Sequence, residues 1–74
     1  MYAIVHDPAS GDWWVQGDEG RVNDPPFDGI GSALRSIFAL AQDGHAVDMK
    51  RYYIHDPNHG PDWDNPQPIT ATSP

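Results

Sequence analysis

Apolar and polar residues alternate with a period of two at the start of the chain. Residues 2–6, Tyr-Ala-Ile-Val-His, are strong β-formers that place Tyr2, Ile4 and His6 on one face and Ala3 and Val5 on the other. Asp7-Pro8-Ala9-Ser10-Gly11 reads as a turn, because proline presets φ and glycine accepts φ > 0. Residues 12–17, Asp-Trp-Trp-Val-Gln-Gly, return as the second strand of a hairpin, with Trp13 and Val15 on one face and Trp14 and Gln16 on the other. Adjacent residues of a strand point opposite ways, so one of the two tryptophans must leave the core side of a single sheet. Asp18-Glu19-Gly20-Arg21 is a polar turn, and residues 21–28 form a loop stiffened by Pro25 and Pro26.

The period then becomes helical. Ile30, Leu34, Ile37, Phe38 and Ala41 line up as an apolar stripe, while Ser32, Arg35, Ser36 and Gln42 make a nearly uncharged outer face. Asp28 is placed to cap the start, or Ser32 if the first turn frays, and Gly44 suits the left-handed position that ends a helix. Residues 46–55 predict a third strand, but Val47, Met49, Arg51, Tyr53 and His55 alternate with Asp48, Lys50, Tyr52 and Ile54, and neither set is cleanly apolar. Beyond it lie five of the eight prolines, the composition of an extended tail that Trp63 and Ile69 could pin to the body.

These elements predict an α+β fold of order β-β-α-β: a three-stranded antiparallel sheet, order 2-1-3, with one helix on one face. Residues 1–56 form the expected domain and 57–74 a Pro-rich C-terminal tail. The second sheet face then has no cover unless the tail or a partner supplies it, and an uncovered face carrying Trp, Tyr and Met would be an interface.

Length narrows the picture. At 74 residues the chain is one domain, and domains of this size bury only about 60% of the surface of the unfolded chain. Without cysteine there is no disulfide and no thiolate metal site. No segment approaches the roughly 20 apolar residues of a membrane span, and no secretory leader pattern is present, so a cytoplasmic location is expected.

Charge changes it most. Four Lys/Arg face eleven acidic residues, a formal net charge of −7, and all but Glu19 of the acids are aspartates. Such a chain repels nucleic acid and anionic membranes and is attracted to basic surfaces, the kind that bind nucleic acid. Aspartate favours turns and strand ends over helix interiors, so the negative charge belongs to loops. Part of it is structural, since Asp7, Asp24 and Asp56 each precede a proline and Asp28 sits near the helix start.

The candidate chemistry is thin. Residues 4–14 and 53–63 share His, Asp, Pro, Gly and a final Trp at an offset of 49, as two strand exits built with the same turn would. His6, Asp7, His55, Asp56 and His59 are possible metal ligands, but in an antiparallel sheet the two exits lie at opposite ends, and the spacing matches no zinc signature; no metal and no cofactor are expected. Ser10, Ser32, Ser36 and Ser73 sit in no nucleophile context, and with Asp and His plentiful a general acid–base pair, for example Asp56 with His55 or His59, can always be drawn without marking a site. Gly29-Ile30-Gly31 could offer N–H groups to an anion, against the prevailing negative charge. Arg21, Arg35, Lys50 and Arg51 make no basic stripe, so direct nucleic-acid binding is disfavoured.

What remains is a binding protein, not an enzyme. Its candidate partner-binding set is Asp7, Asp12, Asp18, Glu19, Asp24, Asp28, Asp48, Asp56, Asp62 and Asp64, with Trp13, Trp14, Tyr52, Tyr53 and Trp63 as anchors. In size, charge and loop-borne aspartates the whole chain resembles phage-encoded anti-CRISPR proteins and other DNA mimics. That resemblance implies an inhibitor aimed at the basic surface of a CRISPR effector or another defence nuclease. A homo-oligomeric, antitoxin-like module joined through the uncovered sheet face is the alternative, and a His/Asp metal-binding protein the third.

Overall fold

The computed structural model describes residues 1–69. Along the chain it contains β1 (Tyr2–Asp7), β2 (Asp12–Gly17), β3 (Gly20–Arg21), α1 (Ile30–Gln42), β4 (Val47–Asp56), β5 (Gly60–Pro61) and β6 (Gln67–Pro68). The expected first hairpin forms, with Ile4 opposite Val15 and His6 opposite Trp13.

The sheet differs from the three-stranded antiparallel arrangement. It is mixed, ordered β3-β2-β1-β4-β5 with β6 also on β4, and curls into a half-barrel. β4 runs parallel to β1, not antiparallel. The reason lies in residues 20–27, which are no mere loop. After β3 pairs with β2, this segment runs back along the outer edge of β2: Val22 N–H donates to the Val15 carbonyl at 2.8 Å, and Phe27 and Trp13 exchange bonds of 2.7 and 2.8 Å. Pro25 and Pro26 cannot donate to a ladder, which suits an edge. This extra traverse carries the chain to the far end of the sheet before α1 begins. The helix therefore returns it to the start of β1, and β4 leaves in the direction of β1.

Two cores result. On the helix side Ile4, Val15, Ala33 and Ile37 are fully buried, with Tyr2, Trp13, Phe27, Leu34, Leu40, Met49, Tyr52 and Ile69 packed around them. Each fully buried aliphatic side chain contributes about 1.5–3 kcal/mol. On the opposite face Ala3, Val5, Trp14 and Tyr53 form a second cluster. Trp13 and Trp14 thus divide between the faces, and both faces have a core.

The segment after β4 makes this possible. β5 pairs with β4 at His55 and Asp56, β6 pairs with it at Arg51 and Tyr52, and Trp63 packs edge-on against Tyr53 with centroids 4.8 Å apart. Residues 57–69 are therefore part of the sheet and its second layer, and the sheet face expected to lie bare is covered. Residues 70–74 lie outside the described residues.

α1 follows its expected stripe with two residues gained and one lost. Ala33 is buried and Leu40 half-buried, while Phe38 stands 52% exposed. Gly29, not Asp28, is the N-cap, and no side chain caps the helix. The C-terminus is as expected: Gly44 has φ +92°, and Gly44 and His45 N–H groups donate to the Ala41 and Leu40 carbonyls at 3.1 Å, closing a Schellman motif.

A bulge explains the mixed faces of β4. Asp48 lies opposite Ala3, but Tyr52 lies opposite Ile4, so Met49, Lys50 and Arg51 are extra and the alternation restarts after them. The Asp48 carboxylate holds the bulge, accepting from the Lys50 N–H at 3.1 Å and the Tyr53 hydroxyl at 2.9 Å, with Arg51 Nε at 3.7 Å. Burial, then the hydrogen bond and charge of Asp48, push the Tyr53 phenol above 10.0, with Arg51 partly opposing.

Candidate interaction surface

Parallel pairing brings the two His-Asp-Pro exits to one end of the sheet, where antiparallel pairing would have separated them. The turns are built alike. Asp7 Oδ1 accepts from the Ala9 N–H at 3.0 Å, and Asp56 Oδ1 from the Asn58 N–H at 2.9 Å. Gly11 and Gly60 close them with φ of +81° and +75°. Burial raises the Asp7 carboxyl, but hydrogen bonds from the Ala9 N–H, the Ser10 hydroxyl and the Ser10 N–H, with the nearby His55, outweigh it and hold the group below 3.8. Asp56 is lowered first by the Asn58 N–H and then by His59, against some desolvation. Both carboxylates therefore stay ionised at neutral pH.

The shared end does not make a convergent histidine site. The sequence echo has an offset of 49, but the strands pair Val5 with Tyr53 and His6 with Ile54, an offset of 48. That one-residue difference turns the two histidines to opposite faces. His6 stacks on Trp13 at 3.8 Å, with Nδ1 3.0 Å from the Asp12 carbonyl oxygen. His55 packs edge-on against Trp14 at 5.2 Å on the other face, and its buried Nδ1 has no hydrogen-bond partner among the described residues. Among the described residues no group of three or more His, Asp or Glu is placed to hold a metal ion. His59 and Asp56, one of the pairs the sequence allows, meet at Nδ1 to Oδ2 3.1 Å, on an open turn where water is not excluded.

The acidic set is only partly gathered. Asp7, Asp12 and Asp56 occupy the common sheet end. Asp28 joins them, following directly on Phe27, which bridges Trp13. Asp62 and Asp64 border the same region through a groove of about 430 Å³ shared with Asp56, His59, Pro61 and Trp63. None of Arg21, Arg35, Lys50 and Arg51 lies in these turns. Asp18 and Glu19 sit in the β2–β3 turn at the opposite end, Asp24 in the edge segment, and Asp48 in its bulge.

The aromatic anchors divide sharply. Trp14 is 1% exposed and Tyr53 6%, so both are core residues. Trp13 and Tyr52 are half-buried on the helix side, in T-shaped contact at 5.1 Å. Trp63 alone of the five stands well out, 50% exposed. Sequence reasoning missed Arg21, whose guanidinium lies 3.9 Å over the Trp14 ring. The short β2–β3 turn, which sets Arg21 opposite Gln16, was the available signal, because a diagonal neighbour across a hairpin reaches its partner's i−2 side chain.

No protein-family model, curated protein or solved structure matches the chain. Among the described residues no helix is long and apolar enough to cross a membrane.

Proposed function

We propose that this protein is a non-catalytic, acidic inhibitor that docks its carboxylate-rich sheet end onto a basic, nucleic-acid-binding surface of another protein in the cytoplasm. The observation that carries the reading is the placement of Asp7, Asp12, Asp28 and Asp56 at one end of the sheet, with none of the four Lys/Arg in their turns. Two of these carboxylates are ionised more firmly than usual, so the charge is permanent at neutral pH. A fixed anionic array on a scaffold costs little ordering entropy on binding and speeds encounter with a cationic groove. The class resemblance to anti-CRISPR proteins makes a CRISPR effector the first target to test, in the cytoplasm of a host cell if the chain is phage-encoded.

The test is competition for nucleic acid. Purified protein should displace DNA or guide RNA from the effector, less effectively as salt rises. Asp12→Lys with Asp28→Lys reverses charge at the pole, while Asp7→Asn and Asp56→Asn keep the turn acceptors. The combined variant should lose inhibition, and Glu19→Lys at the far end should keep it. Undiminished inhibition by the pole variant sinks the reading.

A further inference from the structure

Trp63 is an exposed aromatic ring held rigidly in place. The Asp62 N–H donates to the Ile54 carbonyl at 2.9 Å, and the Asn65 N–H closes the next turn on the Asp62 carbonyl at 3.4 Å. The indole rests edge-on against buried Tyr53. Together with Pro61 it forms a ridge between two open grooves. One, of about 400 Å³, is lined by Met1, Ala3, Gln16, Gly17 and Asp18. The other carries Asp56, Asp62 and Asp64. The Met1 ammonium in the first groove is turned to Asp18 at 3.5 Å. An apolar ring with carboxylates on its flank and no guanidinium stacked on it is complementary to a cation that stacks.

The molecule already contains one indole with a guanidinium over it. Trp14, which stands 49 residues before Trp63 in the repeated segment, has the Arg21 guanidinium 3.9 Å over its ring. Among the described residues that is the one such pair. Arg51 is committed to Asp48, and Arg35 and Lys50 belong to the helix and the bulge. We propose that Trp63 is the receptor for an arginine side chain of the partner protein, the guanidinium lying on the indole and pairing with Asp62 and Asp64. Arginine fits better than lysine, because its planar group stacks on an aromatic face while its donors meet carboxylates two at a time. The inference rests on the proposed acidic docking function and names the residue that anchors it.

A short peptide of alternating glycine and arginine is the probe, with lysine and alanine versions as controls, titrated at low salt while two-dimensional NMR follows the backbone amides and the three tryptophan indoles. The Trp63 indole resonance should shift and saturate, the lysine peptide should bind more weakly, and the alanine peptide should not bind. Trp63→Leu should weaken arginine-peptide binding by about three- to thirty-fold, the range of one desolvated cation–aromatic contact. Because Trp63 also packs on Tyr53, the exposed pair Asp62→Asn with Asp64→Asn is the second variant, and it should weaken binding without loosening the fold. If amides around Asp7, Asp12 and Asp56 shift while the Trp63 indole does not, the inference fails and the acidic-pole reading stands. If no resonance responds to the arginine peptide, both fail. Equal binding of the lysine peptide overturns the assignment to arginine.

Discussion

The chain leaves its sheet twice through the same words, His-Asp-Pro-x-x-Gly, and the two exits meet different fates. Their turns are nearly superposable in chemistry, each an aspartate accepting from the residue two ahead and a glycine at positive φ. Their histidines point to opposite faces of the half-barrel, His6 onto half-buried Trp13 and His55 onto fully buried Trp14. A repeat in sequence became a repeat in backbone but not in side-chain environment, because pairing is offset by one residue from the repeat. Local chemistry sets a turn; register sets which face sees it.

The largest test of that contrast is truncation of the two tryptophans. Trp14→Ala empties the second core and should cost about 3–5 kcal/mol in a urea titration. Trp13→Ala, on a half-buried ring, should cost about 2 kcal/mol. Equal losses would mean the two faces are equally dependent on their ring, and the contrast breaks.

Next come the closing glycines. An added Cβ meets no atom within 4 Å at Gly11 or Gly60, so strain alone acts. Gly11→Ala and Gly60→Ala should each lower stability by about 1–2 kcal/mol, the cost of left-handed backbone for an L-residue. Matching values would confirm that the turns are equivalent; a near-zero value at Gly60 would show that the second turn relaxes independently of the sheet.

A smaller effect separates the two tryptophans again. Arg21→Leu removes the cation from the Trp14 ring and should cost about 0.5–1 kcal/mol by thermal melting. The loss should vanish in a Trp14→Leu background and persist in a Trp13→Leu one.

The smallest concerns pH. The folded-state values of Asp7 and Asp56 are lowered, so their contribution is complete above the unfolded value of 3.8 and is lost as pH falls through the folded values. Asp7→Asn with Asp56→Asn should therefore lower the melting temperature modestly near about pH 7, where that contribution is complete, and flatten its decline below about pH 4. An unaltered acid limb would place the acid sensitivity on other carboxylates.

Much of this was legible beforehand. The first hairpin, the helix, its glycine stop and both His-Asp-Pro turns are local events, set by residues a few positions apart. The opposite directions of Trp13 and Trp14 follow from the pleat alone. Phe38 misled because the helical stripe took it in and passed over Ala33, and only the sheet's position chooses between them. Residues 20–27 misled more, since two prolines and scattered polar groups look like a loop and still supply edge hydrogen bonds through Val22, Phe27 and the Asn23 side chain, which accepts from the Val15 N–H at 3.0 Å.

Sequence by itself determined the chemistry of the surface: a net charge of −7, carried by aspartates that turns require, on a body whose helix has a neutral outer face. Only tertiary structure decided where that charge gathers. One additional traverse along an edge reversed β4 relative to β1, brought the two exits to the same end, and left Trp63 outside while Trp14 and Tyr53 went in. Strand direction depends on how many times the chain has crossed the sheet, a sum over the whole fold that no local pattern records.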